Sequence, residues 1–452
     1  MTGFGVKREG QTNRTTASGG DKGRVPPAIY NQHGVEPRPP KPNGKDCAWP
    51  QINRPEASGA KNGKGGLIDA KFMKTLGIEA MLNNIFANSQ WVAGKTAESA
   101  VNRGLELQKA GSPSILCYLG EHIAEQGKVE DMMKEYTHLI NLMGAKGLTT
   151  SIAVRPSPFG SDVKNYADQG KGKTVLDYCY NNLETLVALA AKNKVSVCID
   201  MEALPFSDYT LATYKALQKE YGNVSTVLQG NVRRAEHDLR AMLKDPDFGG
   251  HPPVFRLVKG IYKEANEDGM EPVAYTGYDN IHANYAKLIG IAFEESPPGT
   301  RIVVASHHDA RILEALKLSE RHPDKQLELQ MLMGVRTDLM KNLRAAGIPV
   351  TEYVPYGPNA FAYSARRMAK SPDFANAIMA DTFKSVPAPI RPLMHKIVEG
   401  AYPILFGSKL NIEAARGNSE AAAELEQYLL ELPARRGAAG QKGFDGMGKQ
   451  GA

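Results

Sequence analysis

Two adjacent arginines, Arg366 and Arg367, lie in a stretch that is otherwise rich in apolar residues such as Phe361 and Met368. A guanidinium presents paired donors that match the planar oxygens of a carboxylate or phosphate. The pair therefore suggests an anionic ligand, although a solvated pair that only forms salt bridges within the protein is the alternative. The tyrosine-rich segment 353–357 and the single residue Tyr363 precede the arginine pair in the sequence.

A second concentration of positive charge interrupts an apolar run, where Arg256 and Lys259 flank Leu257 and Val258. In a strand covered on both faces, each cation requires a partner or a polar cavity. A bound anionic cofactor would supply one. Gly260, directly beside the charges, permits a close backbone approach.

Short apolar runs rich in β-formers recur along the middle of the chain, and most are separated by segments with helical periodicity. The eight runs are 114–118, 150–154, 195–200, 224–229, 254–259, 301–306, 326–332 and 349–354. Eight β-then-α units match a TIM-like (β/α)8 barrel of the α/β class better than a doubly wound sheet. The helical segments are 174–192, 231–243, 277–293, 308–320 and 335–346.

Polar or ionisable residues follow nearly every predicted strand, where the active sites of such barrels lie. In chain order they are Glu121, Arg155, Ser157, Asp200, Glu202, Gln229, Arg256, Lys259, Tyr262, Ser306, His307, His308, Gln330, Tyr353 and Tyr356. The sequence therefore predicts an enzyme.

Composition narrows the class of protein. The chain is 42% hydrophobic and 23% charged, without an apolar run long enough to cross a bilayer, so we expect a cytoplasmic protein. The net charge of +6 arises within residues 1–64, so we expect no nucleic-acid partner. The four cysteines are widely spaced, which predicts reduced thiols and no metal site.

We predict five regions from these patterns. They are a disordered basic arm at 1–64, N-terminal helices at 65–112, the barrel at 113–375, C-terminal helices at 376–435 and a flexible Gly-rich tail at 436–452.

Several motifs together carry a specific resemblance. They are Arg256–Tyr262 (RLVKGIY), Ala305–Asp309 (ASHHD), Glu328–Gly334 (ELQMLMG), Tyr353–Gly357 (YVPYG) and Tyr363–Arg367 (YSARR), extended by Tyr118–Glu121 and Val197–Glu202. In order and spacing they resemble the flavin-dependent proline dehydrogenase family, in its monofunctional type. The resemblance covers roughly residues 113–375.

The resemblance implies an enzyme that binds FAD at the strand ends and oxidises L-proline to 1-pyrroline-5-carboxylate. Hydride passes from substrate C5 to flavin N5, and a quinone then accepts the electrons, which raises a peripheral contact with a membrane surface. We expect a separate pyrroline-5-carboxylate dehydrogenase to take the product. The cofactor supplies the redox chemistry, and the protein orients and tunes it.

The resemblance also implies roles for individual residues. The catalytic group is Asp200, Tyr262 and Arg256, with Asp200 as an orienter of the substrate amine or a participant in its deprotonation. The substrate is held by Arg155, Leu257, Tyr353, Tyr363, Arg366 and Arg367, the arginine pair gripping its carboxylate. FAD is lined by Met201, Gln229, Arg256, Val258, Lys259, Gly260, Ile261, Ser306, His307 and Gln330.

Four positions depart from the family pattern: Arg155 replaces a lysine, Lys370 a glutamate, Ser306 a threonine and His308 an asparagine. These changes keep open a dehydrogenase of another cyclic imino acid, such as a hydroxylated or bicyclic proline derivative. A metal-dependent barrel aldolase or isomerase, using Asp200, Glu202, Glu264, His307 and His308, is a further alternative. So is a non-catalytic barrel whose basic arm contacts nucleic acid or anionic membrane.

Overall fold

The computed structural model describes a barrel with helices on its outside. The described residues are 90–120, 123–164, 166, 170, 172–245, 247–262, 264, 272–360 and 419–438. The predicted arm and tail, and most of the predicted C-terminal helical region, lie outside these ranges. The predicted domain boundaries therefore remain predictions.

Among the described residues, eight parallel strands pair in chain order, and β8 pairs with β1 to close the barrel. The strands are β1 Ser114–Tyr118, β2 Ser151–Val154, β3 Ser196–Ile199, β4 Val224–Gln229, β5 Phe255–Val258, β6 Arg301–Ala305, β7 Gln326–Leu332 and β8 Val350–Tyr356. Each coincides with a predicted run to within two residues, so the predicted fold class is confirmed. The runs are nearly continuous in apolar residues because helices cover one face and the interior fills the other.

Among the described residues, one helix precedes β1, and a helix connects each pair of consecutive strands on the outside of the barrel. Their bounds are α1 Ala97–Lys109, α2 Gln126–Lys146, α3 Val175–Lys192, α4 Ser207–Tyr221, α5 Ala235–Lys244, α6 Tyr278–Glu295, α7 Asp309–Arg321 and α8 Thr337–Ala345. A further helix, α9 Ser419–Ala438, packs on α7. Short 3-10 turns follow β2 at Ser157–Phe159 and β3 at Leu204–Phe206.

Local sequence signals account for two of the helix ends. Thr174 begins α3 with a capping box, in which its hydroxyl accepts from the Asp177 amide and Asp177 accepts from the Thr174 amide. Gly147 ends α2 in the left-handed conformation, which glycine adopts without a steric cost. These signals fix the end of α2, before β2, and the start of α3, after β2.

The barrel interior has an apolar side and a polar side. An apolar cluster of Ile115, Cys117, Ala153 and Tyr353 contains residues from three neighbouring strands. Polar groups from β5, β7 and β8 occupy the other side of the interior, where the Glu328 carboxylate of β7 accepts from Thr351 of β8 and from Gln330 of β7 at 2.8 Å each. The polar side leads to the carboxyl ends of the strands, where the predicted site lies.

Within the described ranges, none of the helices combines the length and apolar character needed to cross a bilayer. Three cysteines, Cys117, Cys179 and Cys198, are buried free thiols, as the sequence predicts. Cys47 lies outside the described residues.

Candidate active site

A buried ion pair lies at the carboxyl end of the barrel. Arg256 of β5 and Asp200, the residue after β3, are 7% and 8% exposed, and the guanidinium Nη2 donates to Asp200 Oδ1. The Tyr353 hydroxyl of β8 donates to the other oxygen, Oδ2, at 2.9 Å. The guanidinium also lies 5.4 Å from the centre of the Tyr353 ring. Strands β3, β5 and β8 thus contribute one residue each to a continuous network.

The charges in this network reinforce one another. Burial alone would lower the pKa of Arg256, but the facing Asp200 carboxylate outweighs it and the pKa is raised, so the guanidinium stays charged. Burial, and then the negative charge of Asp200, raise the pKa of Tyr353 well above its ordinary value. Tyr353 therefore remains a neutral donor to the carboxylate.

Gln330 of β7 extends the network on the side opposite Asp200. Its Oε1 lies 3.5 Å from Arg256 Nη1, and its Nε2 donates to Glu328 at 2.8 Å. Arg301, at the start of β6, lies 3.6 Å from the other oxygen of Glu328. Arg256 is therefore oriented from two sides, which fixes the plane of its guanidinium.

Glu202 ties the ends of β2, β3 and β4 together through its carboxylate and its backbone carbonyl. Glu202 is buried, and its two oxygens accept from the Ser157 amide at 2.9 Å and from the Ser157 hydroxyl at 2.6 Å. Its backbone carbonyl accepts from Gln229 Nε2 at 2.9 Å. Arg155, two residues before Ser157, is buried with Nη1 at 3.4 Å from the Gly120 carbonyl.

The chain turns sharply after β5. Gly260 has a φ of +92°, and a Cβ there would lie 1.7 Å from Asn231 Oδ1. Asn231 in turn donates from Nδ2 to the Tyr262 carbonyl at 2.8 Å, and its amide bonds to the Lys259 carbonyl. The segment after β5 therefore lies against the loop after β4 in a way that only glycine permits.

The end of β6 carries Ser306, His307 and His308, all partly exposed. His307 Nε2 accepts from the Leu332 amide at 3.0 Å, and the Arg336 side chain donates to the His307 carbonyl at 2.8 Å. The His308 amide donates to Ser306 Oγ at 3.0 Å, in the turn that begins α7. His307 is therefore held against β7, next to the Gln330 side of the network.

The structure brings most of the predicted site residues to one end of the barrel, where Met201 and Gln229 also line one small cavity. Val258 and Ile261, before and after Lys259 and Gly260, are partly exposed at this end. Leu257 differs, since strand alternation places its fully buried side chain on the face opposite Arg256. Glu121, Tyr363, Arg366, Arg367 and Lys370 lie outside the described residues.

Two features of the site are not predicted from the sequence. Asp200 is expected near a substrate amine, and its pairing with Arg256 is not anticipated, although a buried arginine requires a carboxylate partner. Tyr285 on α6 reaches the ends of β5 and β6, and a rule that considers only strand ends cannot find it. The signal for Tyr285 is weak, because a single tyrosine in an amphipathic helix is indistinguishable from a core residue.

The aldolase alternative requires a metal centre. Within the part of the chain that the structure describes, no group of three or more His, Cys, Asp or Glu side chains is arranged to hold a metal ion. Asp200 and Glu202 are engaged by Arg256 and Ser157, and Glu264 accepts from the Leu204 amide at 2.9 Å.

Solved structures with a similar fold include proline utilization A proteins. For the one from Bdellovibrio bacteriovorus inactivated by N-propargylglycine, the TM-score is 0.56 at 20% identity, over 66% of this chain and 33% of that chain. For the one from Corynebacterium freiburgense, the TM-score is 0.52 at 18% identity, over 78% and 37%. The chain thus spans about a third of the length of these proteins, and at such identities the likeness establishes the fold alone.

Sequence comparison is more specific. The family model described as proline dehydrogenase matches residues 100–370, more than half of the chain. Proline dehydrogenase from Deinococcus radiodurans is 32% identical over 302 residues, which cover 65% of this chain and 89% of the relative. Proline dehydrogenase 1 from Bacillus subtilis is 29% identical over 299 residues, which cover 65% and 90%. The resemblance inferred from the motifs is thereby confirmed, and the chain belongs to the proline dehydrogenase family.

Proposed function

We propose that this protein is an FAD-dependent dehydrogenase that oxidises L-proline to 1-pyrroline-5-carboxylate. The observation that carries the proposal is the buried Arg256, held between Asp200 and Gln330 at the mouth of a barrel whose sequence matches the family. A charged guanidinium in this position is suited to stabilise negative charge on a ligand ring above it.

The residues at the mouth fit a flavin dinucleotide by the chemistry of their donors. Arg256, Gln229 and Ser306 offer N–H and O–H groups of the kind that flavin ring nitrogens and carbonyl oxygens accept. Lys259 and Gly260, side by side after β5, offer a cation and a backbone that can approach a pyrophosphate closely. We assign the cofactor to these residues together with Met201, Val258, Ile261, His307 and Gln330.

FAD, when bound, supplies the acceptor for a hydride from substrate C5. Arg256 then provides a fixed positive charge, which Asp200 and Gln330 hold in place without reorganisation during the reaction. Asp200 already accepts from both Arg256 and Tyr353. This supports a role for Asp200 as an orienter rather than as a base.

The substrate site is assigned to residues around Tyr353. Tyr353 and Tyr262 provide aromatic surface with a polar tip, which suits a small ring that carries an amine. Arg155 lies buried at the end of β2 and adds positive charge for a carboxylate. By resemblance, Tyr363, Arg366 and Arg367 complete the site, with the arginine pair as the carboxylate clamp. For Leu257, burial on the helix-facing side favours a packing contribution over direct contact.

The remaining partners follow from the proposed reaction. A quinone takes the electrons, at a membrane surface if the quinone is lipid-soluble, and a separate pyrroline-5-carboxylate dehydrogenase takes the product. A cytoplasmic location accords with these partners and stays a prediction. No role for nucleic acid is part of the proposal.

The visible spectrum of the purified full-length protein tests the proposal. We expect flavin absorbance that is bleached when L-proline is added anaerobically and restored when a quinone is added. A colourless protein would exclude the flavin, and a flavin that proline does not bleach would exclude proline as substrate.

The second candidate, a dehydrogenase of another cyclic imino acid, is favoured by the buried Arg155 at the position where the resemblance implies a lysine. Arginine is bulkier than lysine and binds a carboxylate through a rigid fork. The same anaerobic titration with hydroxyproline distinguishes the two candidates. Faster bleaching by hydroxyproline than by proline would support the second candidate.

A further inference from the structure

Tyr285 on α6 contacts the barrel at the junction of two strands that carry the proposed cofactor residues. Its hydroxyl lies 3.1 Å from the Leu257 carbonyl of β5 and 3.0 Å from the Ala305 carbonyl of β6. Its single proton is shared between the two oxygens. The residues that follow these carbonyls are Val258 and Ser306, both assigned to the proposed flavin site.

The neighbouring residue on α6 extends the contact to a third strand. Asn284 is buried and donates from Nδ2 to the Gly230 carbonyl, directly after β4, at 2.8 Å. Gly230 lies so close to α6 that a Cβ there would be 2.8 Å from the Tyr285 Cβ. The pair Asn284–Tyr285 therefore contacts the ends of β4, β5 and β6 at once.

Tyr285 is fully buried among these strands and remains protonated. Burial raises the pKa of its phenol far above the ordinary value, so the hydroxyl is a donor at any physiological pH. Arg311 and the Ser306 side chain lower this pKa, but by less than burial raises it. A donor at this point links the backbones of two neighbouring strands.

We infer that Tyr285 is a positioning residue, whose hydroxyl sets the separation of the β5 and β6 ends and so the shape of the cofactor cradle. The inference rests on the proposed flavin function, since Arg256, Lys259 and Ser306 form a cofactor cradle only if the protein binds a flavin. Tyr285 does not touch the ligand in this assignment. Its effect passes through the backbone of Leu257 and Ala305.

The test is Tyr285→Phe, which removes one oxygen and keeps the ring that packs between helix and strands. The matched control is Tyr214→Phe, because Tyr214 is equally buried and its hydroxyl accepts from the Val254 amide at 2.8 Å, before β5 at the opposite end of that strand. Each change removes one neutral buried hydroxyl, so the two have similar costs in stability. Only Tyr285 contacts the strand ends that carry the proposed cofactor residues.

The measurement is flavin retention, taken as the flavin-to-protein absorbance ratio of the purified full-length protein after dilution and gel filtration, beside the thermal midpoint. We expect the dissociation constant for flavin to be about tenfold higher in Tyr285→Phe than in wild type, as loss of one buried hydrogen bond predicts. Tyr214→Phe should lower the thermal midpoint and leave flavin retention within about twofold of wild type. Equal flavin retention in the two variants would overturn the inference.

If Tyr285→Phe does not fold, flavin retention is measured in Asn284→Ala instead. This change removes the bond to Gly230 at the same three-strand contact. Weaker flavin retention in this variant supports the inference, and unchanged retention overturns it. A wild-type protein without flavin is a different result, because it overturns the proposed function and the inference with it.

Discussion

Arg256 is the residue on which the proposed chemistry depends most. It is a charged group in a nearly closed environment, and its orientation comes from Asp200 on one side and Gln330 on the other. Tyr353 completes the surroundings of Asp200. The charged guanidinium is thus held in one orientation before any ligand binds.

Replacing Arg256 with lysine keeps the charge and loses the planar fork, so one ammonium cannot satisfy Asp200 and Gln330 in the same geometry. We expect Arg256→Lys to slow flavin reduction by proline about a hundredfold, the usual effect of losing one oriented donor. Anaerobic stopped-flow absorbance measures this rate. The control is Arg344→Lys, in an ion pair with Glu352 at 2.6 Å that lies on the helix-facing side of β8. An equal loss in both variants would contradict the role of Arg256.

The buried thiols give a prediction that is independent of catalysis. Burial raises the pKa of Cys198 to about 11 and that of Cys179 to about 12. For Cys198, a raised pKa means about a hundredfold less thiolate at pH 8 than in an ordinary cysteine. We expect iodoacetamide at pH 8 to leave both residues unmodified in the native protein and to alkylate both in denaturant, as peptide mass spectrometry would show. Rapid alkylation of native Cys198 would contradict its burial.

The connections between strands decide where the site residues lie. The turn after β5 depends on Gly260, and the link between β2 and β3 depends on the Glu202 carboxylate. Both features lie at the carboxyl end of the barrel. The loops that carry the site are therefore fixed by a few contacts between neighbouring elements.

Gly260→Ala introduces a Cβ at a positive φ and within 1.7 Å of Asn231 Oδ1. We expect it to lower the free energy of unfolding by about 1–3 kcal/mol and to reduce flavin retention, because the segment after β5 must shift. Gly290→Ala is the control, since a Cβ there on α6 meets no atom within 4 Å and alanine favours a helix. Urea unfolding measures the stability of both variants, and the flavin-to-protein absorbance ratio measures their flavin retention. Equal stability of the two variants would show that the turn tolerates a side chain.

The Glu202–Ser157 link allows a double-mutant cycle. Ser157→Ala removes the 2.6 Å bond and keeps the amide bond, and Glu202→Gln replaces one acceptor oxygen with a donor. We expect a coupling free energy of about 1–2 kcal/mol between them, measured by urea unfolding. Because the link holds the loop that follows Arg155, the KM for proline should rise in both single variants. Strictly additive effects on stability would contradict the link.

Over the molecule as a whole, the C-terminal helix α9 belongs to the fold of the barrel. It packs on α7, and Lys317 of α7 pairs with Glu424 of α9 at 2.5 Å. Leu425, Tyr428, Leu429 and Leu432 are buried along one face of α9. This helix lies against the barrel and follows, in the sequence, the segment that carries the predicted arginine clamp.

Two adjacent leucines on α9 differ in exposure, with Leu429 at 7% and Leu430 at 73%. We expect Leu429→Asp to undock α9 and to lower stability by about 2 kcal/mol, the value of burying one leucine. Leu430→Asp should leave stability within about 0.5 kcal/mol of wild type. Limited proteolysis near residue 419 and thermal unfolding measure the two effects. Equal resistance of both variants to protease would contradict the packing of α9 on α7.

The sequence by itself determined the eight strands, their alternation with helices and the family. These features depend on patterns of a few residues, such as the apolar run Phe255–Val258 and the capping box at Thr174, which are encoded locally. The rule that barrel sites follow the strands then predicted most residues of the candidate site. The clamp of Arg366 and Arg367 rests on the sequence alone, because both lie outside the described residues.

The tertiary structure decided which side chains meet. Asp200 and Arg256 are 56 residues apart, and their pairing follows from the separation of β3 and β5 across a closed barrel. Tyr285 reaches the ends of β5 and β6 only because α6 packs on the outside of the barrel next to them. Such contacts depend on barrel closure and on helix position, which are properties of the packed chain rather than of any local pattern.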